Sequence, residues 1–178
     1  SEYRYRSLFE QAQDAIFILD IDGISMEANP YAAQMLGYPL DQLNTMATYE
    51  LVPKAERNHR SEMVSRILAG ENLPPYERTL IRKDGSAVPV EVNVQVILDQ
   101  NGEPIAIQSI TRDLTERKRL EAAQREFNAY FEAIFNGGAF GVHVFDLAGK
   151  SIRANKTVAH MLGYTLDDAS VVPGEWLE

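Results

Sequence analysis

The most regular stretch of the chain alternates strictly: Val88, Val90, Val92, Val94 and Val96 are apolar, with polar Glu91, Asn93 and Gln95 between them. A period of two sends successive side chains to opposite faces, so this run predicts a strand with one buried and one polar face. Tyr76 to Ile81 precedes it as another strand, joined through a turn at Lys83-Asp84-Gly85. Asp99-Gln100-Asn101-Gly102 makes the next hairpin turn, and Ile105 to Ile110 follows as a further strand. Nearer the N-terminus the continuous apolar run Ile16 to Leu19 closes on Asp20-Ile21-Asp22-Gly23 and returns as Ile24 to Ala28, an antiparallel hairpin.

Helical spacing fills the intervals. Leu8, Phe9 and Ala12 mark a short amphipathic helix within Arg6 to Asp14. Asn29-Pro30 opens another, the Asn side chain able to accept a backbone N–H as N-cap and Pro supplying the fixed φ of the first helical position. That helix carries Ala32, Ala33, Met35 and Leu36, and Gly37 stops it before a short turn at Leu40-Asp41. Leu43 to Val52 is weakly helical up to Pro53, and in Lys54 to Leu68 the residues Met63, Val64, Ile67 and Leu68 share one face before Ala69-Gly70. From Leu114 to Ile134 the chain is charged and helical. Leu120, Phe127 and Ile134 fall seven apart, with Ala123 and Tyr130 three later in each heptad, which predicts a connector helix with a pairing seam.

The opening pattern then repeats without a gap. Asp20, Gly23, Ala28, Asn29, Ala33, Met35-Leu36-Gly37-Tyr38, Leu40 and Asp41 recur as Asp146, Gly149, Ala154, Asn155, Ala159, Met161-Leu162-Gly163-Tyr164, Leu166 and Asp167. A repeat fixes the unit of the fold. The second copy carries two strands and the first helices but no counterpart of Tyr76 to Ile110, so Val142, Val144 and Met161 have no covering strands of their own. The expected organisation is therefore a full domain over 1–112, a connector over 113–133 and an incomplete second domain over 134–178. That last part is expected to be disordered, swapped or packed against a partner.

Composition narrows the chemistry. Of 178 residues, 45% are hydrophobic and 24% charged, the balance of a water-soluble globular chain. The longest aliphatic or aromatic run is far too short to cross a bilayer. The absence of cysteine removes disulfides, thiolate metal sites and every chromophore attached through sulfur. A net charge of −9 opposes phosphate binding, so nucleic acid is not an expected partner, nor is a membrane for this region.

No pair of acidic residues is set opposite a nucleophile, and no Gly-x-Ser-x-Gly elbow or phosphate-binding glycine loop occurs. An enzyme is not expected. His143 and His160 lack companions at metal-ligand spacing, so no metal site is expected either.

The order strand, strand, helices, strand, strand, strand resembles a PAS domain. So do Asn29 to Tyr38 before the helices, Arg82-Lys83-Asp84-Gly85-Ser86 in a hairpin, and Asp113-Leu114-Thr115-Glu116-Arg117 at the exit. The resemblance covers nearly all of residues 1–117. It implies an α+β fold, a five-stranded antiparallel sheet with short helices on one face, followed here by the long connector helix. It also implies a cytoplasmic sensory and dimerisation module of a bacterial signal-transduction protein, with a histidine kinase or cyclic-dinucleotide enzyme as the absent output domain. The implied partners are a second copy of the chain, forming a parallel homodimer through the connector, a small-molecule ligand, and the downstream output domain.

A cavity between helices and sheet is the implied ligand site, with Ile16, Ile18, Met35, Arg60, Met63, Ile67, Arg78 and Leu80 as candidate lining residues; filling the core is the commoner role for such an apolar stripe. Arg60 and Arg78 are the candidates for pairing an anionic ligand. Asp113, Thr115 and Arg117 are the candidate signal-transfer residues, Asp113 capping the connector and pairing with Arg117 one turn on.

The cofactor is left open. Cysteinyl flavin is excluded, and a noncovalent haem or flavin redox or gas sensor is the alternative reading, with a ligand-free interaction module as a third. His59 lies near the position of the haem ligand in haem-binding relatives, but at 100° per residue it points roughly 110° from the apolar face of its helix. The ligand position itself holds Arg60, whose guanidinium presents no lone pair to iron.

Overall fold

The computed structural model describes residues 2–163, with side chains for all of these except 58–63. Two compact units result, Ser1–Lys118 and Arg119–Glu178. Of the repeated positions, Tyr164, Leu166 and Asp167 lie outside the described residues.

The first unit opens with helix α1 (Glu2–Gln11) and the hairpin β1 (Ala15–Leu19) and β2 (Ser25–Ala28). Helices α2 (Pro30–Leu36) and α3 (Leu40–Leu43) follow, then two 3-10 turns at Thr48–Leu51 and Lys54–His59, and α4 (Arg60–Leu68). Strands β3 (Tyr76–Ile81), β4 (Ala87–Leu98) and β5 (Pro104–Asp113) complete a five-stranded antiparallel sheet in the order β2-β1-β5-β4-β3. The N- and C-terminal strands β1 and β5 thus lie side by side at the middle of the sheet.

The alternation read from the valines holds: Val88, Val90 and Val92 are buried on the helix-facing side and Gln95 is exposed. They join Phe17, Leu19, Leu36, Leu43, Leu51, Leu80 and Ile107 in one core. The structure differs from the sequence reading at two places. The single helix expected over Lys54 to Leu68 is a 3-10 turn followed by α4. In β1 it is Ala15, Phe17 and Leu19 that face the core, which turns Ile16 and Ile18 to the opposite face, opposite Ile110 and Gln108. A continuous apolar run carries no alternation from which to read its face, and a slip of one residue reverses every side chain.

Asn29 knots the N-terminal elements together. Fully buried, its Oδ1 accepts from Ala32 N and Ile16 N, each at 3.0 Å, while Nδ2 donates to Phe9 O at 3.1 Å and Asp14 O at 3.0 Å. One side chain therefore caps α2 and fixes the ends of α1 and β1. At the far end of α2, Gly37 takes φ 73°, the left-handed cap that a Cβ disfavours.

The second unit repeats this construction. Helix α5 (Thr115–Gly137) leads into β6 (His143–Phe145), β7 (Ser151–Ala154) and α6 (Lys156–Leu162). Asn155, also fully buried, accepts from Val142 N and Val158 N, each at 3.0 Å, and donates to Phe135 O at 2.8 Å and Phe140 O at 2.7 Å. Phe131 and Phe135 stack with centroids 5.3 Å apart, and the Arg153 guanidinium lies 4.9 Å from each ring while pairing with Glu132. The apolar surface of β6, β7 and α6 is exposed at Val144, Phe145, Ile152 and Met161.

Candidate functional site

The inner face of the sheet and the segment from Thr48 to α4 enclose a cavity of about 310 Å³ in the first unit. Its floor follows from strand alternation: Phe17 and Leu19 of β1, Val92 and Val94 of β4, and Ile107, Ser109 and Thr111 of β5 all project to the same side. Leu51, Val52, Val64 and Ile67 close it from above, and Tyr76, Arg78 and Leu80 of β3 supply one wall.

Of the residues singled out from sequence, Ile67, Arg78 and Leu80 line this cavity. Ile16 and Ile18 do not, being on the outer face, and Met35 is buried in the core with its backbone carbonyl bonded to Arg82. The side chains of Arg60 and Met63, like that of His59, lie outside the described residues. Sequence reading missed Phe17, Ser109, Thr111 and Tyr76. Phe17 and Leu19 follow once the face of β1 is known, and Ser109 and Thr111 are small hydroxyl residues at inward positions where a filled core favours larger apolar ones.

The polar part of the wall centres on β3. Arg78 Nε is buried, and among the described residues it has no hydrogen-bond partner; Nη2 lies 3.9 Å from Glu56 Oε2. Burial raises the Tyr76 phenol above its ordinary pKa, with the adjacent Arg78 pulling the other way, so Tyr76 is a neutral hydroxyl at neutral pH. Glu77, also at the cavity, is engaged by Lys118 Nζ at 2.5 Å. Among the described residues, no group of three His, Asp or Glu side chains is placed to hold a metal ion.

Strand β5 continues from the cavity floor to the exit. Two residues beyond Thr111, Asp113 Oδ1 accepts from Thr115 N at 2.7 Å, capping the first turn of α5, while Leu114 is buried and its N–H donates to Pro89 O at 2.9 Å. Asp113 Oδ2 lies 3.6 Å from Arg82 Nη2. Arg82 in turn donates through Nε to Met35 O at 2.9 Å, and Lys83 N donates to Leu36 O at 2.9 Å. The end of α2, the β3–β4 hairpin and the start of α5 thus share one polar junction. Arg82 belongs to this junction, and its spacing to Asp113 carries no sequence signal because the two meet only across the sheet.

Along α5, Leu120, Phe127, Tyr130 and Ile134 are all exposed. Among the described residues the heptad seam is thus solvent-exposed.

The fold is an α+β module with a cavity between its sheet and helices, and comparison with known proteins gives its family. A family model described as the PAS fold matches residues 3–114, and a second PAS domain model matches 129–178. The chain belongs to the PAS family. It is 32% identical over 154 residues to the methyl sulfide methyltransferase-associated sensor of Methanosarcina acetivorans, covering 86% of this chain and 14% of that protein. Sporulation kinase E of Bacillus subtilis is 27% identical over 94% of this chain and 22% of its own length. The chain thus spans a small fraction of the curated relatives it matches.

Among solved structures, a domain of a sensory box sensor histidine kinase/response regulator from Geobacter sulfurreducens superposes with a TM-score of 0.54. It is 30% identical, over 63% of this chain and 93% of that one. Residues 3–114 form a PAS sensor domain, and 129–178 match a PAS domain model as well. No helix among the described residues is long and apolar enough to cross a membrane.

Proposed function

We propose that the first unit senses a small molecule in the cavity between its sheet and helices and transmits occupancy through β5 and Asp113 into α5. There it biases the pairing of α5 with the same helix of a second chain. The observation that carries this reading is the continuity of β5, whose inward residues Ile107, Ser109 and Thr111 line the cavity and whose last residue, Asp113, caps the helix. A change in packing at the floor reaches the helix cap along a single strand.

The exposed Leu120, Phe127 and Ile134 seam supports a parallel homodimer, since such a/d residues are stable when a partner helix covers them. The full-length protein is proposed to be a multidomain cytoplasmic signalling protein with a histidine kinase output. The sensory box sensor histidine kinase/response regulator named above supports that reading, and Sporulation kinase E supports a kinase output. Domain limits of 1–112, 113–133 and 134–178 remain the proposed division, with α5 continuous across the second and third.

The test is a thermal-shift screen of the 178-residue chain against a metabolite library, run beside Ser109→Leu, which fills the cavity floor. The expected result is at least one compound that raises Tm in the wild type and not in Ser109→Leu. A library that shifts neither protein contradicts the sensory reading and leaves an interaction module. Equilibrium sedimentation is expected to give a dimer, and a monomer at all concentrations contradicts the pairing.

A further inference from the structure

We infer that the cavity is built for an organic monocarboxylate with a compact apolar body, held at its carboxylate by Arg78 beside Tyr76. This rests on the cavity being a ligand site, as proposed above, and specifies its chemistry.

Three observations point to that class. The first is the state of Arg78. Its Nε is buried without a partner among the described residues, and Nη2 reaches Glu56 only at 3.9 Å, through a carboxylate that is itself 49% exposed. A guanidinium presents a fork of N–H donors in one plane, and an unmatched buried donor is costly; a carboxylate matches the fork with two parallel charge-assisted bonds. Among the described residues the Tyr76 hydroxyl is the neighbour that bonds the guanidinium, and no carboxylate matches the fork in its plane.

The second is the surrounding chemistry. Phe17, Leu19, Val92, Val94 and Ile107 present hydrocarbon over most of the remaining wall, so the rest of the ligand is apolar. An inorganic anion would leave that surface uncovered. At about 310 Å³ the cavity is at the small end for organic ligands and suits one ring or a short branched chain.

The third is the charge count. Among the described lining residues Arg78 is the cation, its contact with the half-exposed Glu56 is long and Glu77 is engaged by Lys118, so the one guanidinium fork stands for one carboxylate. Tyr76, kept neutral by burial, adds a hydroxyl donor beside the guanidinium.

The experiment is isothermal titration of the 178-residue chain at pH 7.5 with acid and amide pairs of the same shape: benzoate and benzamide, phenylacetate and phenylacetamide, 4-methylpentanoate and 4-methylpentanamide. At least one acid is expected to bind ten-fold or more tightly than its amide, the margin of one charge-assisted bond over a neutral one. Arg78→Gln is expected to bring acid and amide within about two-fold, and Arg78→Lys, which keeps the charge on a flexible stem, to restore part of the preference. Thermal unfolding of both variants confirms that they fold.

Amides that bind as well as the acids, with binding lost in Ser109→Leu, overturn the anionic class while the cavity reading stands. A preference for acid that survives in Arg78→Gln overturns the role of Arg78. No binding by any pair overturns the class, and when the library screen also yields no hit the sensory reading falls with it.

Discussion

At the scale of single residues, Asn29 and Asn155 show how one buried amide organises a unit. Each is a helix cap readable from Asn followed by a helical run, but the bonds to Phe9 O and Phe135 O span 20 residues and have no local pattern to announce them. Asn29→Ala removes four hydrogen bonds at once, from Ile16 N and Ala32 N and to Phe9 O and Asp14 O, and leaves Ala32 N only its 3.1 Å bond to the backbone carbonyl of residue 29. We expect a loss of about 3 kcal/mol, read from the urea midpoint at constant m, against under 1 kcal/mol for a cap replaceable by water.

The aspartates of the β3–β4 and β4–β5 turns act on a different axis. Hydrogen bonds from Ser86 hold the Asp84 carboxyl below its ordinary pKa, and backbone N–H groups of Glu103 and Asn101 do the same for Asp99. A lowered folded pKa stabilises the fold above the unfolded value of about 4, and that contribution is lost as pH falls through the folded value. In urea titrations, Asp99→Asn is therefore expected to be less stable than the wild type at pH 6 and to converge with it as the pH falls through the lowered folded value. A gap that stays constant with pH contradicts the assignment.

At the scale of elements, the valine strand was legible because alternation records which face is buried; β1 was not, because Ala15 to Leu19 is apolar throughout. The cavity inherits that difference. Its wall residues on β3, Leu80 and Arg78, follow from sequence, whereas Phe17 and the small Ser109 and Thr111 appear only when β1 and β5 pair at the centre of the sheet. The junction of Arg82 with Asp113 and Met35 O is likewise a product of sheet order. With side chains 28% and 24% exposed, the Arg82–Asp113 pair is expected to give a coupling of about 0.5–1 kcal/mol in a double-mutant cycle of Arg82→Ala and Asp113→Ala.

Helix α5 serves both units. Its first turn is capped by Asp113, and near its other end Phe135 occupies the position in the second repeat that Phe9 holds in the first, each carbonyl bonded by the repeated Asn. Exposed Leu120 and Phe127 lie between. Leu120→Glu with Phe127→Glu is expected to convert the dimer to monomer in sedimentation while leaving the far-UV circular dichroism within about 10% of wild type.

At the scale of the molecule, the central claim is that the state of the cavity is read at the start of α5. The most direct test replaces the ligand by a side chain: Ser109→Leu fills the cavity floor, and hydrogen exchange of the Thr115–Ala123 amides is measured in that variant, in Asp113→Ala, and in the double variant. Filling the cavity is expected to change exchange in this segment at least three-fold, and the change is expected to vanish when Asp113 is absent. Wild-type exchange rates over Thr115–Ala123 in a folded Ser109→Leu protein would contradict the account.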